Sequence, residues 1–233
     1  KIRGALFIEG SDIVVEDGMD TSFKAVDGSA YSGDVTYTMI YQSTGVIYRR
    51  NHHYGGKDSQ TVNSTNFSIW GSSFVEISNN VWNDLSGNGF AYNTGSAYTK
   101  FTGNRISVLN LGGAPDHGVL VFSATGNNGI ICSTTTLVED NDIIMEADGP
   151  ASIIYSNAVV ANEQAKGLVI TNNRASTLTA NTFTFCNFGT GVQNAVLTNN
   201  HTFSGGAAST FITDSGAVTK YQSLGNFKDH VEQ

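Results

Sequence analysis

The sequence predicts an all-β protein, folded as a single-stranded right-handed parallel β-helix of about seven to eight coils. Two observations lead to this fold class. The first is a composition rich in small polar residues and poor in charged ones, and the second is a short asparagine-centred pattern that recurs along the chain.

The composition argues against a helical protein and against disorder. Gly, Asn, Ser and Thr make up 96 of the 233 residues, and charged residues only 14%. A typical soluble domain has about 25% charged residues, and helix surfaces favour Ala, Glu, Lys and Arg. Disordered chains lack apolar residues, whereas this one is 39% hydrophobic and 10% aromatic, with only two prolines.

The recurring pattern places an apolar residue three positions before an asparagine. Val75–Trp82 and Thr99–Ile106 are its clearest copies. The anchor positions are Ser11, Asn51, Asn80, Asn104, Asn141, Asn173 and Asn200, with a weaker copy at Asn226. The positions three before the anchors are all apolar or aromatic: Ile8, Tyr48, Ile77, Phe101, Val138, Ile170 and Leu197.

A solenoid explains this pattern, because the anchors recur at intervals of 24 to 40 residues, as expected for stacked coils with loops of different length. The apolar position then stacks inside the coils. The asparagine occupies a tight turn, since Asn tolerates the left-handed backbone and its side chain can bond the neighbouring coil. Such folds gain stability coil by coil.

We expect one β-helix domain over residues 1–233, as a fragment of a longer chain, with residues 206–233 as a candidate C-terminal cap. The net charge is −8, and no basic cluster exceeds Arg49-Arg50, so no nucleic-acid partner is expected. The sequence contains no run of 18 apolar residues, so no membrane span is predicted. Cys132 and Cys186 are expected to be buried free thiols, with a disulfide or a reactive thiol as the alternative, and no cofactor or metal is expected.

The asparagine-anchored repeat resembles the pectate-lyase-like right-handed parallel β-helix superfamily over roughly residues 5–205. The Gly/Ser/Thr/Asn-rich composition is most similar to bacteriophage tailspike and capsule-depolymerase proteins. This resemblance implies a homotrimer, in the virion (phage tail) or extracellular, that attaches to bacterial cell-surface polysaccharide and often cleaves it. It transfers no site residues, because lyases, hydrolases, epimerases and non-catalytic stalks share the asparagine turn.

Loop insertions supply the candidate catalytic residues. Asp116 and His117 lie in one insertion, and Asp148 and Glu163 follow the next anchor. Hydrolysis of a glycosidic bond needs two carboxylates that face one groove, and Asp116 with Asp148 or Glu163 is the best pair. The alternative is that these residues only form turns, because Pro, Asp and Gly favour turns.

The candidate substrate-binding residues are aromatic or cationic. Aromatic side chains offer flat apolar faces for sugars, and cations can neutralise the carboxylate of a uronic acid. They are Trp70, Trp82, Tyr92, Tyr98, Arg49, His52 and Lys57. The repeat also allows an interior position for Trp82, which aligns with Ile106.

The functional prediction is therefore a tailspike-type protein that recognises bacterial surface polysaccharide and hydrolyses it as an endo-glycosidase. The alternatives are a non-catalytic glycan-binding or structural β-helix module, and a β-helix of the uronate lyase or epimerase type.

Overall fold

The computed structural model describes residues 6–21, 36–54, 65–86, 91–110, 118–123, 134–145, 151–157, 165–177, 183–188, 192–203, 210–214, 220–229 and 231–232. The regular secondary structure within these ranges is all β-strand, in three sheets with the strands numbered in chain order.

The first sheet contains β1 (Leu6–Ile8), β4 (Thr36–Tyr41), β7 (Thr65–Trp70), β10 (Ala91–Thr94), β13 (Gly118–Ser123), β16 (Ala151–Asn157), β19 (Phe183–Phe188) and β22 (Thr210–Asp214). The second contains β2 (Val14–Glu16), β5 (Ile47–Arg49), β8 (Ser73–Ser78), β11 (Ala97–Thr102), β14 (Thr134–Glu139), β17 (Ala165–Thr171), β20 (Val192–Thr198) and β23 (Lys220–Leu224). The third contains β3 (Met19–Thr21), β6 (His52–Tyr54), β9 (Val81–Ser86), β12 (Arg105–Asn110), β15 (Asp142–Met145), β18 (Arg174–Thr177), β21 (His201–Phe203), β24 (Phe227–Lys228) and β25 (Val231–Glu232).

Consecutive strands enter the first, second and third sheets in turn, so every three strands complete one coil. Within each sheet, neighbouring coils pair in parallel, and β25 alone among the described strands pairs antiparallel, against β24. The predicted right-handed parallel β-helix is confirmed, with eight coils. Within 206–233, the described residues form the eighth coil and β25; their role as a cap stays a prediction.

The inward-facing side chains form columns along the solenoid, as predicted. Tyr48 pairs with Ile77, and Ile77 with Phe101, and all three are buried. In the third sheet, Trp82 lies between His53 and Ile106. The core is therefore built from equivalent positions of successive coils, which matches the alignment made on the asparagines.

A ladder of buried asparagines joins the coils at the turn between the second and third sheets. Asn104 shows the arrangement: its backbone N–H and its Nδ2 both donate to Asn141 Oδ1 at 3.0 Å, and Nδ2 also donates to Ile77 O at 2.9 Å. The ladder contains Asn51, Asn80, Asn104, Asn141, Asn173, Asn200 and Asn226. The weaker copy at Asn226 is thus a full member.

The predicted first anchor, Ser11, is wrong. Ser11 bridges to Thr44, at a different turn of the coil. Gly18 occupies the ladder position and donates its N–H to Asn51 Oδ1 at 2.9 Å. A Cβ at Gly18 would lie 2.8 Å from that oxygen, so the first coil carries glycine where the others carry asparagine.

The left-handed backbone lies one residue earlier than predicted, immediately before each ladder residue. The residues with positive φ at this position are Asp17, Arg50, Asn79, Gly103, Asp140, Asn172, Asn199 and Gly225. The exposed residue makes the turn, and the buried asparagine makes the hydrogen bonds. This division explains why Asn, Asp and Gly precede most ladder positions.

A second, shorter ladder joins the first and second sheets. Ser43 N donates to Ser72 Oγ at 3.1 Å, and Ser72 N donates to Ser96 Oγ at 3.2 Å. Each of these buried serines precedes a ladder asparagine by eight residues, a spacing that the sequence displays but that the alignment did not use.

Two interior threonines interrupt the aliphatic packing. Thr99 and Thr136 are neighbours in register, both buried, and neither hydroxyl has a hydrogen-bond partner. Cys186 is buried and free, as predicted, and burial raises the pKa of its thiol. Cys132 lies outside the described residues.

The asparagine ladder predicts a sharp contrast between two adjacent asparagines. Replacing Asn173 with Ala leaves the Asn141 N–H and the Val138 carbonyl unpaired, and should lower the free energy of unfolding by about 4 kcal/mol. The control is Asn172→Gly, at an exposed left-handed position, which should leave stability unchanged or slightly higher. Chemical unfolding monitored by circular dichroism measures both, and equal losses would contradict the ladder's role.

Removing the unpaired hydroxyls of Thr99 and Thr136 should stabilise the folded protein. Thr99→Val and Thr136→Val keep the side-chain shape and remove an unsatisfied polar group, so each should raise the free energy of unfolding by about 1 kcal/mol. Thr102→Val, at a half-buried outward position of the same strand as Thr99, is the matched control and should change little. A loss of stability in both interior variants would show that the hydroxyls are satisfied.

Candidate functional site

Three aromatic side chains form a strip on the outer face of the first sheet. Phe7 is 55% exposed, and its ring centroid lies 5.8 Å from that of Tyr41, with the planes tilted by 36°. Tyr41 pairs in register with Trp70, and both are partly exposed. We call Phe7, Tyr41 and Trp70 the aromatic strip; it crosses the first three coils.

The strip is held by regular strand structure. Ile8, Ile40 and Ile69 alternate with its members and point into the core, which directs the aromatic side chains outward. The carbonyl of Trp70 accepts hydrogen bonds from Gln42 N and Ser72 Oγ, both at 2.9 Å. The backbone that carries the aromatic strip is therefore held by hydrogen bonds before any ligand arrives.

A second surface feature is a groove of about 820 Å³ on the outer face of the second sheet. Phe74 and Tyr98 rise beside it, 61% and 51% exposed, with their rings stacked at 4.8 Å and 4°. Ile47, Leu137 and Val169 are among the other residues that line it. We call this surface the second-sheet groove.

The ring pair is held in a strained backbone. Phe74 and Tyr98 both have φ of 54°, which costs roughly 1–2 kcal/mol for a residue with a side chain of this kind. The same position is left-handed in seven consecutive coils: Asp12, Gly45, Phe74, Tyr98, Thr135, Gly167 and Asn194. The solenoid therefore imposes this conformation, and small residues occupy the coils on either side of the aromatic pair.

Two charged residues lie side by side in the second-sheet groove. Glu76 pairs in register with Lys100. The carboxylate of Glu76 accepts a hydrogen bond from Ser78 Oγ at 2.7 Å, whereas the Lys100 side chain is exposed. The middle of the groove thus carries one negative and one positive group, with apolar residues on both sides.

Among the described residues, the substrate-binding residues predicted from sequence are spread over all three sheets. Trp70 belongs to the aromatic strip, and the backbone of Tyr92 pairs with that of Ser68 in the same sheet. Tyr98 lies at the second-sheet groove, and His52 is exposed on the third sheet. Trp82 is 1% exposed and stacks on His53 at 4.9 Å, so its predicted surface role is wrong and the interior alternative is confirmed.

The predicted catalytic residues Asp116, His117, Asp148 and Glu163 lie outside the described residues, as does Lys57. In the part of the chain that the structure describes, no three His, Cys, Asp or Glu side chains gather as metal ligands. That same part contains no helix long and apolar enough to cross a membrane.

Arg49 belongs to an ion-pair cluster at the edge of the second sheet. Arg49 Nε donates to Glu16 at 2.8 Å, and Arg50 contacts both Glu16 and Asp17 at 2.8–2.9 Å. The hydrogen bond from Arg49 is the main reason why the pKa of Glu16 is lowered, and the bond from Arg50 lowers the pKa of Asp17. Because these carboxyls are exposed, solvent screens the pairs.

The cluster predicts a titration that depends on the arginines. A carboxyl whose pKa is lowered in the folded protein stabilises the fold at pH values above its ordinary pKa. This stabilisation is lost as the pH falls through the lowered pKa. Arg49→Gln should raise the pKa of Glu16 towards its ordinary value of 4.5, and Arg50→Gln that of Asp17 towards 3.8. Carboxyl carbon shifts in an NMR pH titration measure this. Arg105→Gln, on the third sheet, is the control; unchanged titration in the first two variants would contradict the pairing.

Comparisons with known proteins extend only to the fold. No protein-family model matches the sequence, and neither does any curated protein. Two solved structures of PfbA, a surface protein and adhesin of Streptococcus pneumoniae, superpose with TM-scores of 0.62 and 0.60 at 12% and 11% identity. Each match covers 97% of this chain, but the chain spans only 66% and 61% of the matched chains. The protein shares the parallel β-helix of a surface adhesin.

Proposed function

We propose that the protein is an extracellular or virion-surface binding module whose aromatic strip holds a chain of bacterial cell-surface polysaccharide. The aromatic strip is the observation that carries this proposal. Phe7, Tyr41 and Trp70 present apolar area on three adjacent coils of the first sheet, with Tyr41 and Trp70 in one column and Phe7 two residues to one side, in register with Met39.

Carbohydrate fits this strip because pyranose rings have apolar faces of C–H groups. Tyr and Trp present large, rigid contact area with only two side-chain torsions to fix, so ordering them on binding costs little. Successive coils are about 4.8 Å apart, which places the three side chains within reach of neighbouring sugars of an extended chain. The sheet supplies the rigidity that a weak, repetitive ligand requires.

The similarity to a surface adhesin agrees with this proposal and is independent of the strip. PfbA is described as a surface protein and adhesin, and its solenoid superposes on nearly all of this chain. At 12% identity this similarity supports the fold but does not identify a ligand. The choice of polysaccharide therefore rests on the aromatic strip.

Hydrolysis of the bound polysaccharide is the second candidate function, and one observation favours it. Asp116 and His117 immediately precede β13, and Asp148 lies three residues before β16. β13 and β16 are parallel neighbours in the first sheet, the sheet that carries the aromatic strip. Two acidic residues thus precede neighbouring strands in the sequence, and a glycosidase needs two carboxylates that flank one glycosidic bond.

Binding is tested with an array of purified bacterial capsular polysaccharides. We expect the protein to bind at least one, and Trp70→Ala to weaken that binding by about tenfold or more, because a buried aromatic contact is worth at least about 1.4 kcal/mol. His201→Ala, which removes an exposed ring from the third sheet, is the matched control. Equal loss in both variants, or no binding to any polysaccharide, would contradict the proposal.

The same incubations separate binding from cleavage. Polysaccharide of unchanged length, with no new reducing ends, identifies a binding module. Reducing ends that appear with the wild type and disappear with Asp116→Asn, Asp148→Asn or Glu163→Gln identify a hydrolase. A new unsaturated product would instead identify the uronate lyase.

A further inference from the structure

The outward residues of the second sheet are ordered in a way that neither the fold nor the aromatic strip requires. One column contains, in coil order, Val14, Ile47, Glu76, Lys100, Leu137, Val169, Val196 and Gln222. Its first six members are symmetric about the midpoint between Glu76 and Lys100: a charged residue comes first on each side, then two apolar residues. The two central charges are opposite.

The two flanking columns show the same symmetry about the same centre. The first flanking column is formed by the equivalent positions with a left-handed backbone. Phe74 and Tyr98 lie at its centre, with small or short polar residues on both sides of them. In the column that includes Ser78 and Thr102, Arg49 and Glu139 lie at equal distances from the centre. Reversing the order of these six coils therefore brings opposite charges together at two pairs of positions, Glu76 with Lys100 and Arg49 with Glu139. Asp12 and Glu16 fall opposite the uncharged residues Gly167 and Thr171.

We propose that the second-sheet groove binds a second copy of this chain, with the two solenoids antiparallel and related by a two-fold axis that passes between the third and fourth coils. The axis lies in the interface and runs along the strands. Such an axis reverses the order of coils and brings each column opposite itself, as an isologous interface requires.

This arrangement satisfies the charges in pairs. Glu76 of one copy faces Lys100 of the other, and the symmetry repeats the pair. Arg49 faces Glu139 in the same way; only its Nε is engaged by Glu16, so its terminal N–H groups remain free for a second carboxylate. Phe74 and Tyr98 of the two copies meet at the axis, and Ile47 faces Leu137.

The opposite orientation is excluded by the same residues. Two parallel solenoids in register would place Glu76 near Glu76 and Lys100 near Lys100, and like charges that face each other cost several kcal/mol. A partner of uniform charge would also leave one of the two groups unmatched. The alternation of one acid and one base at the centre therefore favours an antiparallel copy of the chain over other occupants.

The size of the face predicts a modest affinity. Six coils at about 4.8 Å and strands of about six residues at about 3.3 Å give a face of roughly 29 by 20 Å. This is smaller than the about 800 Å² that each partner contributes to a typical specific interface. We therefore expect a reversible dimer with a dissociation constant on the order of 10 μM.

Sedimentation equilibrium over about 1 to 200 μM tests the proposal. The wild type should pass from monomer to dimer. Glu76→Lys and Lys100→Glu should each weaken association by at least about tenfold, because each places like charges opposite one another. Arg105→Glu, an exposed reversal on the third sheet, is the matched control and should leave association within about twofold of the wild type.

Mixing the two single variants separates a contact between copies from an effect within one chain. At a concentration of about 10 μM each variant alone should be mainly monomeric, because its dissociation constant is expected to be about 100 μM or more, whereas the mixture of E76K with K100E restores opposite charges across the axis and should form a heterodimer as the wild type forms its dimer. A wild type that remains monomeric at the highest concentration would overturn the proposal. A trimer, which the tailspike resemblance implies, would also overturn it. The proposal would equally be overturned if the wild type dimerises and both variants are folded, but their mixture fails to associate.

Discussion

The structure depends on one hydrogen-bonding arrangement, the buried amide of each ladder asparagine. In Asn104, for example, the amide oxygen accepts from the backbone and side chain of Asn80 on the preceding coil. Its nitrogen donates to the Ile77 carbonyl of that same preceding coil and to Asn141 Oδ1 of the next coil, so one side chain links three coils. Parallel strands alone would permit neighbouring coils to slide by two residues without changing which face is buried. The ladder removes this freedom, because an asparagine that moved would leave buried polar groups unpaired.

Fixed register turns the outer surface into columns, and both proposed binding faces follow from it. Tyr41 and Trp70 are neighbours only because their strands align, although they are 29 residues apart in the chain. Phe74 and Tyr98 are held at equivalent left-handed positions, so their rings stack. Both positions belong to a turn that repeats from coil to coil, and the serine ladder of Ser43, Ser72 and Ser96 lies at this turn. A solenoid can therefore present rigid aromatic side chains without a loop to support them.

The sequence predicted the interior better than the surface, for a physical reason. A buried position tolerates few residue types, so Asn104 and Phe101 repeat visibly in later coils, and the interior alternative for Trp82 followed from its alignment with Ile106. The first coil misled the alignment because Gly18 replaces the asparagine, and Ser11 fitted the pattern by coincidence. Outward positions tolerate almost any residue, so their order conveys nothing until the register is known.

That order becomes informative once the columns are aligned. In a chain with so few charges, Glu76 and Lys100 have no need to share the centre of an apolar column, since neither is required for the ladder or the core. A surface that only avoids aggregation would carry charges along its whole length, whereas this column has two opposite charges, Glu76 and Lys100, with apolar residues on both sides of them. These opposite charges favour a second copy that is antiparallel to the first and disfavour one that is parallel to it. The first sheet remains open in that dimer, so two aromatic strips would be available on one particle, and a weak ligand contact would gain from being made twice.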